Sequence, residues 1–220
     1  MFVRFGKLSC SNLMALLPLL LVFASCSFGP SRVKQPGIDP SSAGSAAIQA
    51  YDKNGDGTIS GDELERAPAL KAALPRLDTN GDKGVSSDEI AERVNTWKAM
   101  RTGMTSFAFG VTLDGAPVTD AQVTFEPDPI LGDDIKPAVS TTNQSGRGRA
   151  SIPPEPGTKL SDQIPGMQIG LYRVKISKIV NGKETIPAKY NTDTVLGQEV
   201  ADDVSEIAGN RVLYALSNHK

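Results

Sequence analysis

The chain has 220 residues, a formal net charge of −2, and 39% hydrophobic but only 5% aromatic residues. That length holds one large or two small domains, and the ordinary apolar and charged fractions describe a globular protein with a mostly aliphatic core. No basic stripe interleaves with aromatics, which argues against nucleic acid as a partner, and the one histidine, His219, reads as a solvated tail group rather than a base or metal ligand.

Residues 1–25 read as a secretory signal peptide. Arg4 and Lys7 make a basic start without acidic residues, and Leu13 to Ala24 is a compact apolar run. A membrane-spanning helix needs about 20 apolar residues, so this run is too short to serve as one. Ala24 and Ser25 precede Cys26, an arrangement that resembles the lipobox of bacterial lipoproteins, with Phe23 where leucine is usual. The resemblance implies cleavage before Cys26, lipidation of its thiol and attachment to the membrane through an N-terminal lipid anchor. Ser27, rather than aspartate, follows the cysteine, and the same resemblance then implies the outer membrane. Cys10 falls within the signal, leaving Cys26 as the sole cysteine of the mature chain, so no intramolecular disulfide can form. Residues 26–44, rich in Pro, Gly and Ser, are expected to be a flexible tether.

From Asp52 the chain reads DKNGDGTISGDE, and from Asp78 it reads DTNGDKGVSSDE. Calcium is a hard cation that takes about six to eight oxygens, so a loop must wrap around it with oxygens at alternate positions. Asp52, Asn54 and Asp56 would supply side-chain oxygens, Thr58 its carbonyl, Ser60 a direct or water-mediated contact, and Glu63 both carboxylate oxygens. In the second copy the same places fall to Asp78, Asn80, Asp82, Gly84, Ser86 and Glu89. Both loops resemble the EF-hand, a family of calcium-binding helix–loop–helix units. The second departs at position six, where Lys83 stands in place of the glycine represented by Gly57. A non-glycine residue there must take a left-handed conformation and here also brings a positive charge, so the second loop is expected to be the weaker site. Ile59 and Val85 share loop position eight and are expected to pair across a short antiparallel bridge. Flanking helices are expected from a Ser41 or Ser42 cap to about Tyr51, and through Ile90, Val94 and Trp97, with Trp97 in the core. Two helices of about two turns each are expected between Glu63 and Asp78. The helical unit is assigned to residues 45–102.

From Ser106 the pattern changes to a period of two, and residues 103–218 are assigned to a β-sandwich. Strands are expected at Phe107–Val111, Ala121–Phe125, Ala138–Thr142, Arg147–Ile152, Gly170–Val180 and Arg211–Ser217, with a weaker one at Ala188–Thr194. The first two are expected to form a hairpin with a turn at Asp114-Gly115, through a connection longer than a two-residue turn. The segments VTLDGAPVTDAQVTFEP, TNQSGRGRASIPP and GLYRVKIS resemble transthyretin-like, carboxypeptidase-regulatory-like sandwich domains, a family that implies a non-catalytic accessory or adhesive module. The expected fold is therefore α+β and multidomain, a small helical EF-hand pair followed by an antiparallel β-sandwich of transthyretin-like or immunoglobulin-like form. Asp133-Asp134 and the basic groups Arg147/Arg149 and Arg173/Lys175/Lys178 are expected on the solvent face, the latter open to an anionic glycan. No nucleophile with a usable base stands out. The expected function is that of a non-catalytic, calcium-binding lipoprotein of the cell envelope that meets an envelope protein or glycan. A calcium-responsive sensor is the alternative, and a glycan-processing hydrolase accessory is a more remote one.

Overall fold

The computed structural model describes residues 1–2, 35–154, 156–157 and 165–218. Cys26, the apolar run before it, the first part of the tether and His219 lie outside the described residues. Contacts divide the chain into Met1–Ser31 and a compact unit Arg32–Lys220, which holds both the helical and the β elements.

Helix α1 (Pro40–Tyr51) begins within the segment expected as a tether. Its cap is Asp39, not Ser41 or Ser42: the Asp39 carboxylate accepts from the Ser42 N–H at 2.8 Å, and Pro40 occupies the first turn, where a missing N–H costs nothing. Strand β1 (Thr58–Ser60) and the single turn α2 (Asp62–Glu65) follow. Then comes α3 (Pro68–Leu77), which is nearly three turns long. The expected pair of two-turn helices is thus one short and one long helix. Pro68 starts α3, and Pro75 is accommodated inside it. Strand β2 (Gly84–Ser86) leads into α4 (Ser87–Met100), whose first turn is closed by a reciprocal Ser86–Glu89 capping box. Ile90, Val94 and Trp97 are buried along one face of α4, as their spacing anticipates.

The remaining strands are β3 (Met104–Thr105), β4 (Phe107–Leu113), β5 (Ala116–Pro117), β6 (Gln122–Pro127), β7 (Ala138–Thr141), β8 (Arg147–Ala150), β9 (Met167–Gln168), β10 (Gly170–Ser177), β11 (Ile179–Val180), β12 (Lys183–Glu184), β13 (Gly197–Val200) and β14 (Val212–Leu216), with a helical turn α5 (Ser205–Ala208) before the last. One sheet runs β13-β10-β6-β7, and in the other β4 lies between β14 on one side and β8 and β5 on the other. The sheets meet through aromatic rings. Phe125 of β6 packs edge-on against Phe107 and Phe109 of β4, with centroids 5.2 and 5.4 Å apart, and Tyr214 of β14 lies 5.9 Å from Phe109. The buried set is mostly aliphatic, as composition implies, yet its centre is aromatic. Such rings contribute about 0.5–1.5 kcal/mol per pair beyond the area they bury.

Several local expectations are corrected. Asp114 (φ 49°) and Gly115 (φ 82°) do make a turn, but it closes β4 onto the two-residue β5, and β6 crosses to the other sheet. Two positive φ angles suit a two-residue connection, which leaves no length for β6 to return along β4. Residues Ala188–Tyr190 form a 3₁₀ turn rather than a strand, and the unanticipated β13 takes the place beside β10. The segment expected to run from Gly170 to Val180 breaks at Lys178, where β11 leaves to pair with β12. The β domain is antiparallel except that β14 runs parallel to β4, a neighbour far from it in sequence.

The helical elements lie directly on the first sheet. Gly197 of β13 sits so close to the start of α3 that a Cβ there would come within 1.8 Å of the Pro68 carbonyl oxygen. Any side chain at this position would hold α3 off the sheet.

Candidate metal centres

The two acidic loops are built alike. In the first, Asp52 accepts from the Gly55 and Gly57 N–H groups at 2.6 and 2.9 Å, and Asn54 Oδ1 accepts from the Asp56 N–H at 2.8 Å. Asp56 in turn accepts from the Thr58 N–H at 2.9 Å. In the second, Asp78 accepts from Gly81 and Lys83 at 2.6 and 3.0 Å, Asn80 from Asp82 at 2.8 Å, and Asp82 from Gly84 at 2.8 Å. The terminal glutamates reach back across their loops. Glu63 accepts from the Lys53, Asn54 and Ser60 N–H groups, and Glu89 from those of Thr79 and Ser86. The Lys53 N–H, followed by that of Ser60, holds the Glu63 carboxyl below its ordinary range and therefore ionised. Between the loops Ile59 and Val85 face each other in a short antiparallel ladder, both fully buried, as their shared position anticipates.

The donor set fits a hard cation. Backbone N–H groups orient the side-chain oxygens of each loop but do not neutralise them. Among the described residues no Lys or Arg pairs with Asp52, Asp56, Glu63, Asp78, Asp82 or Glu89. Nor do three acidic, histidine or cysteine side chains converge into one cluster among the described residues. By sequence position each loop would offer three carboxylates, the neutral side-chain oxygens of Asn54 and Ser60 or of Asn80 and Ser86, and one backbone carbonyl. A mixture of this kind suits calcium, which accepts neutral oxygens and high coordination, better than a transition metal. Asp52, Asn54, Asp56, Thr58, Ser60 and Glu63 would hold one ion, and Asp78, Asn80, Asp82, Gly84, Ser86 and Glu89 a second.

The loops differ at position six. Gly57 has φ 86° and Lys83 has φ 68°, so lysine carries a left-handed backbone that glycine adopts freely. That strain amounts to about 1 kcal/mol. Lys83→Gly is therefore expected to tighten the second site about fivefold, by the strain alone. Calorimetric titration of the variant checks this, and unchanged affinity would sink the account.

Residues that no motif marks connect both loops to the β domain. Tyr51, the last residue of α1 and the neighbour of Asp52, places its hydroxyl 3.0 and 2.9 Å from the two carboxylate oxygens of Asp128, which is fully buried beside β6. Burial pushes the Asp128 carboxyl upward, and burial together with the Asp128 charge raises the Tyr51 hydroxyl. On the other side, Glu199 of β13 has a fully buried side chain. It accepts from Arg76 Nε of α3 at 2.6 Å, from Arg93 Nε of α4 at 2.6 Å and from Trp97 Nε1 at 3.1 Å. The Arg93 guanidinium also forks onto Asp203, at 2.7 and 2.8 Å. These hydrogen bonds from Arg93 hold the Asp203 carboxyl below its ordinary range. A carboxyl lowered on folding contributes stability that is present above its unfolded pKa and lost as pH falls through the folded one. Asp128, raised on folding, contributes with the opposite sign.

Asp133 and Asp134 are exposed, and Asp134 accepts from the Gly37 N–H at 2.9 Å. Arg147 and Arg149 are exposed as expected, whereas Arg173 is half-buried and Lys175 pairs with Glu126 at 2.8 Å. Among the described residues no helix is long and apolar enough to cross a membrane.

The EF-hand family model matches residues 46–67, a segment that contains the whole first loop and part of its flanking helices. No curated protein matches the chain.

Proposed function

We propose that this chain is a calcium-binding, non-catalytic protein of the cell envelope, anchored through lipid on Cys26, in which bound calcium fastens the helical unit to a β-sandwich interaction module. The observation that carries the reading is the placement of buried carboxylates of the β domain directly behind the two loops. Asp128 takes Tyr51 next to the first loop, and Glu199 takes Arg76 and Arg93 on either side of the second. Because the ion would bind the native arrangement and not the unfolded chain, occupancy adds stability to whatever the loops are joined to.

A sensor would need its helices to swing apart on binding. Here the helices around the second loop are tied to a sheet by a buried charge network, which favours a stabilising role over an opening one. The non-catalytic reading rests on the same groups. The buried ionisable groups Asp128, Glu199 and Arg93, with Asp203 beside them, are all engaged in contacts that join the helices to the β domain, which supports a structural role for them. The two facing sheets and the resemblance of residues 105–217 to transthyretin-like domains support an accessory or adhesive role. The envelope location rests on the basic start, the short apolar run and Cys26.

Calorimetric titration of the metal-stripped protein is expected to show saturable calcium binding near two equivalents, and no binding up to millimolar calcium would overturn the reading. Detergent-phase partitioning of the protein made in a bacterial host separates out the anchor. The chain is expected in the detergent phase, and a Cys26→Ser variant in the aqueous one.

A further inference from the structure

An open groove of about 800 Å³ runs across the β domain where β7 and β8 meet. Arg147 and Arg149 lie two residues apart on β8, so their side chains leave the same face about 7 Å apart. Both line the groove, together with the neutral polar side chains of Gln122, Ser140 and Asn210, and among the described residues no acidic one lines it. Arg149 donates to the Ser106 hydroxyl, but among the described residues neither arginine pairs with a carboxylate. In a chain of net charge −2, this is a local concentration of unneutralised positive charge in a concave, hydroxyl- and amide-rich setting. Asp202 stands in an adjoining recess that shares Arg149 and Asn210 and marks one end of the positive stretch.

The lining narrows the choice of ligand. Val139 and Ser151 exchange both backbone hydrogen bonds, at 2.9 and 3.1 Å, so β7 is not open there to an added peptide strand. Among the described residues no aromatic ring lines the groove, so they offer a neutral sugar no stacking platform. Guanidinium forks match planar or tetrahedral anions, and neutral amides and hydroxyls match a ligand that carries many hydroxyl groups.

We infer that this groove binds an acidic saccharide chain. Arg147 and Arg149 pair with its anionic groups, and Gln122 and Asn210 hydrogen-bond its hydroxyls. The inference supplies a partner class for the interaction module proposed above and rests on that reading of the β domain, but not on occupancy of the calcium loops.

The test uses the full-length protein and three probes: a galacturonate hexamer, a neutral galactose hexamer and an oligoglutamate hexamer. The galacturonate hexamer is expected to bind, with affinity falling as salt rises. It is expected to weaken tenfold or more in R147A/R149A and several-fold in Q122A, while the galactose and oligoglutamate probes bind at least tenfold more weakly. Calcium stoichiometry and near-ultraviolet circular dichroism of each variant establish that it is folded, and Q122A, which keeps both charges, serves as the second probe of the same groove. Equal binding of oligoglutamate would overturn the inference in favour of an acidic protein partner. Galacturonate affinity unchanged in folded R147A/R149A, or no binding of any probe, would overturn it outright. Either result with calcium binding intact would leave the calcium-dependent reading in place.

Discussion

Glu199→Ala is expected to destabilise the protein by about 3–5 kcal/mol, because truncation leaves the buried charge of Arg93 without its main partner. The Glu199 side chain is fully buried, and its two oxygens take Arg76, Arg93 and Trp97, three groups from two helices. Removing the carboxylate strands all three donors at once, and Asp203, which is partly exposed, can retain only one side of Arg93. Chemical denaturation measures the loss. A second effect separates this role from ordinary core packing. With its helices no longer held on the sheet, the second loop must recover that arrangement when calcium binds, so its affinity falls about tenfold for each 1.4 kcal/mol of docking that binding must restore. Pairing Glu199→Leu with Arg93→Met removes charge and partner together and is expected to restore most of the stability, since apolar replacement of a whole buried ion pair is often neutral. A loss below about 1 kcal/mol in Glu199→Ala would mean that the network is ornamental and that packing alone seats the helices.

The loops could be read in the sequence because their chemistry is local. A hard cation dictates oxygens at fixed spacing within about twelve residues, and Asp52–Glu63 and Asp78–Glu89 carry that spacing openly. The partnership of Ile59 with Val85 was likewise visible, since it follows from the repeat. What joins the loops to the sheet was not visible. Tyr51 and Asp128 are 77 residues apart, and Arg93 and Glu199 are 106 apart. No periodicity marks a residue whose partner lies that far along the chain. Glu199 stands in a short strand of mixed polarity, GQEV, whose inward glutamate reads as a solvent-facing position until a helix is placed over it. The hairpin expected between β4 and β6 failed for a related reason. The Asp114-Gly115 turn is a correct local signal, but which sheet the next strand joins is decided by the pairing of β6 with the distant β10 and with β7, which places Phe125 across the core from Phe107 and Phe109 of β4 instead of beside them.

Calcium is expected to raise the melting point of the β domain as well as that of the helical unit. At a hundredfold excess over the dissociation constant each occupied site adds about 2.7 kcal/mol, so two sites add about 5 kcal/mol, worth about 10–20 °C in a unit of this size. The increment reaches the sheets only if the helices and the sandwich unfold together, and the contacts predict that they do. Tyr51 and Asp128 close one side, Glu199 with Arg76 and Arg93 the other, and Gly197 lets α3 lie against β13 between them. The expected result is a single transition, seen at the same temperature by far-ultraviolet circular dichroism, which is weighted by all the secondary structure, and by the fluorescence of Trp97, which reports the helix–sheet boundary. Glu63→Gln and Glu89→Gln should each remove about half of the calcium increment, and the double variant should melt at the same temperature with and without calcium. Two separated transitions, with only the helical one moved by calcium, would show that the ion stabilises its own loops and passes nothing to the sandwich. Buried carboxylates that reach the residues beside both loops are what such a fold would need in order to make the stability of its β domain depend on calcium.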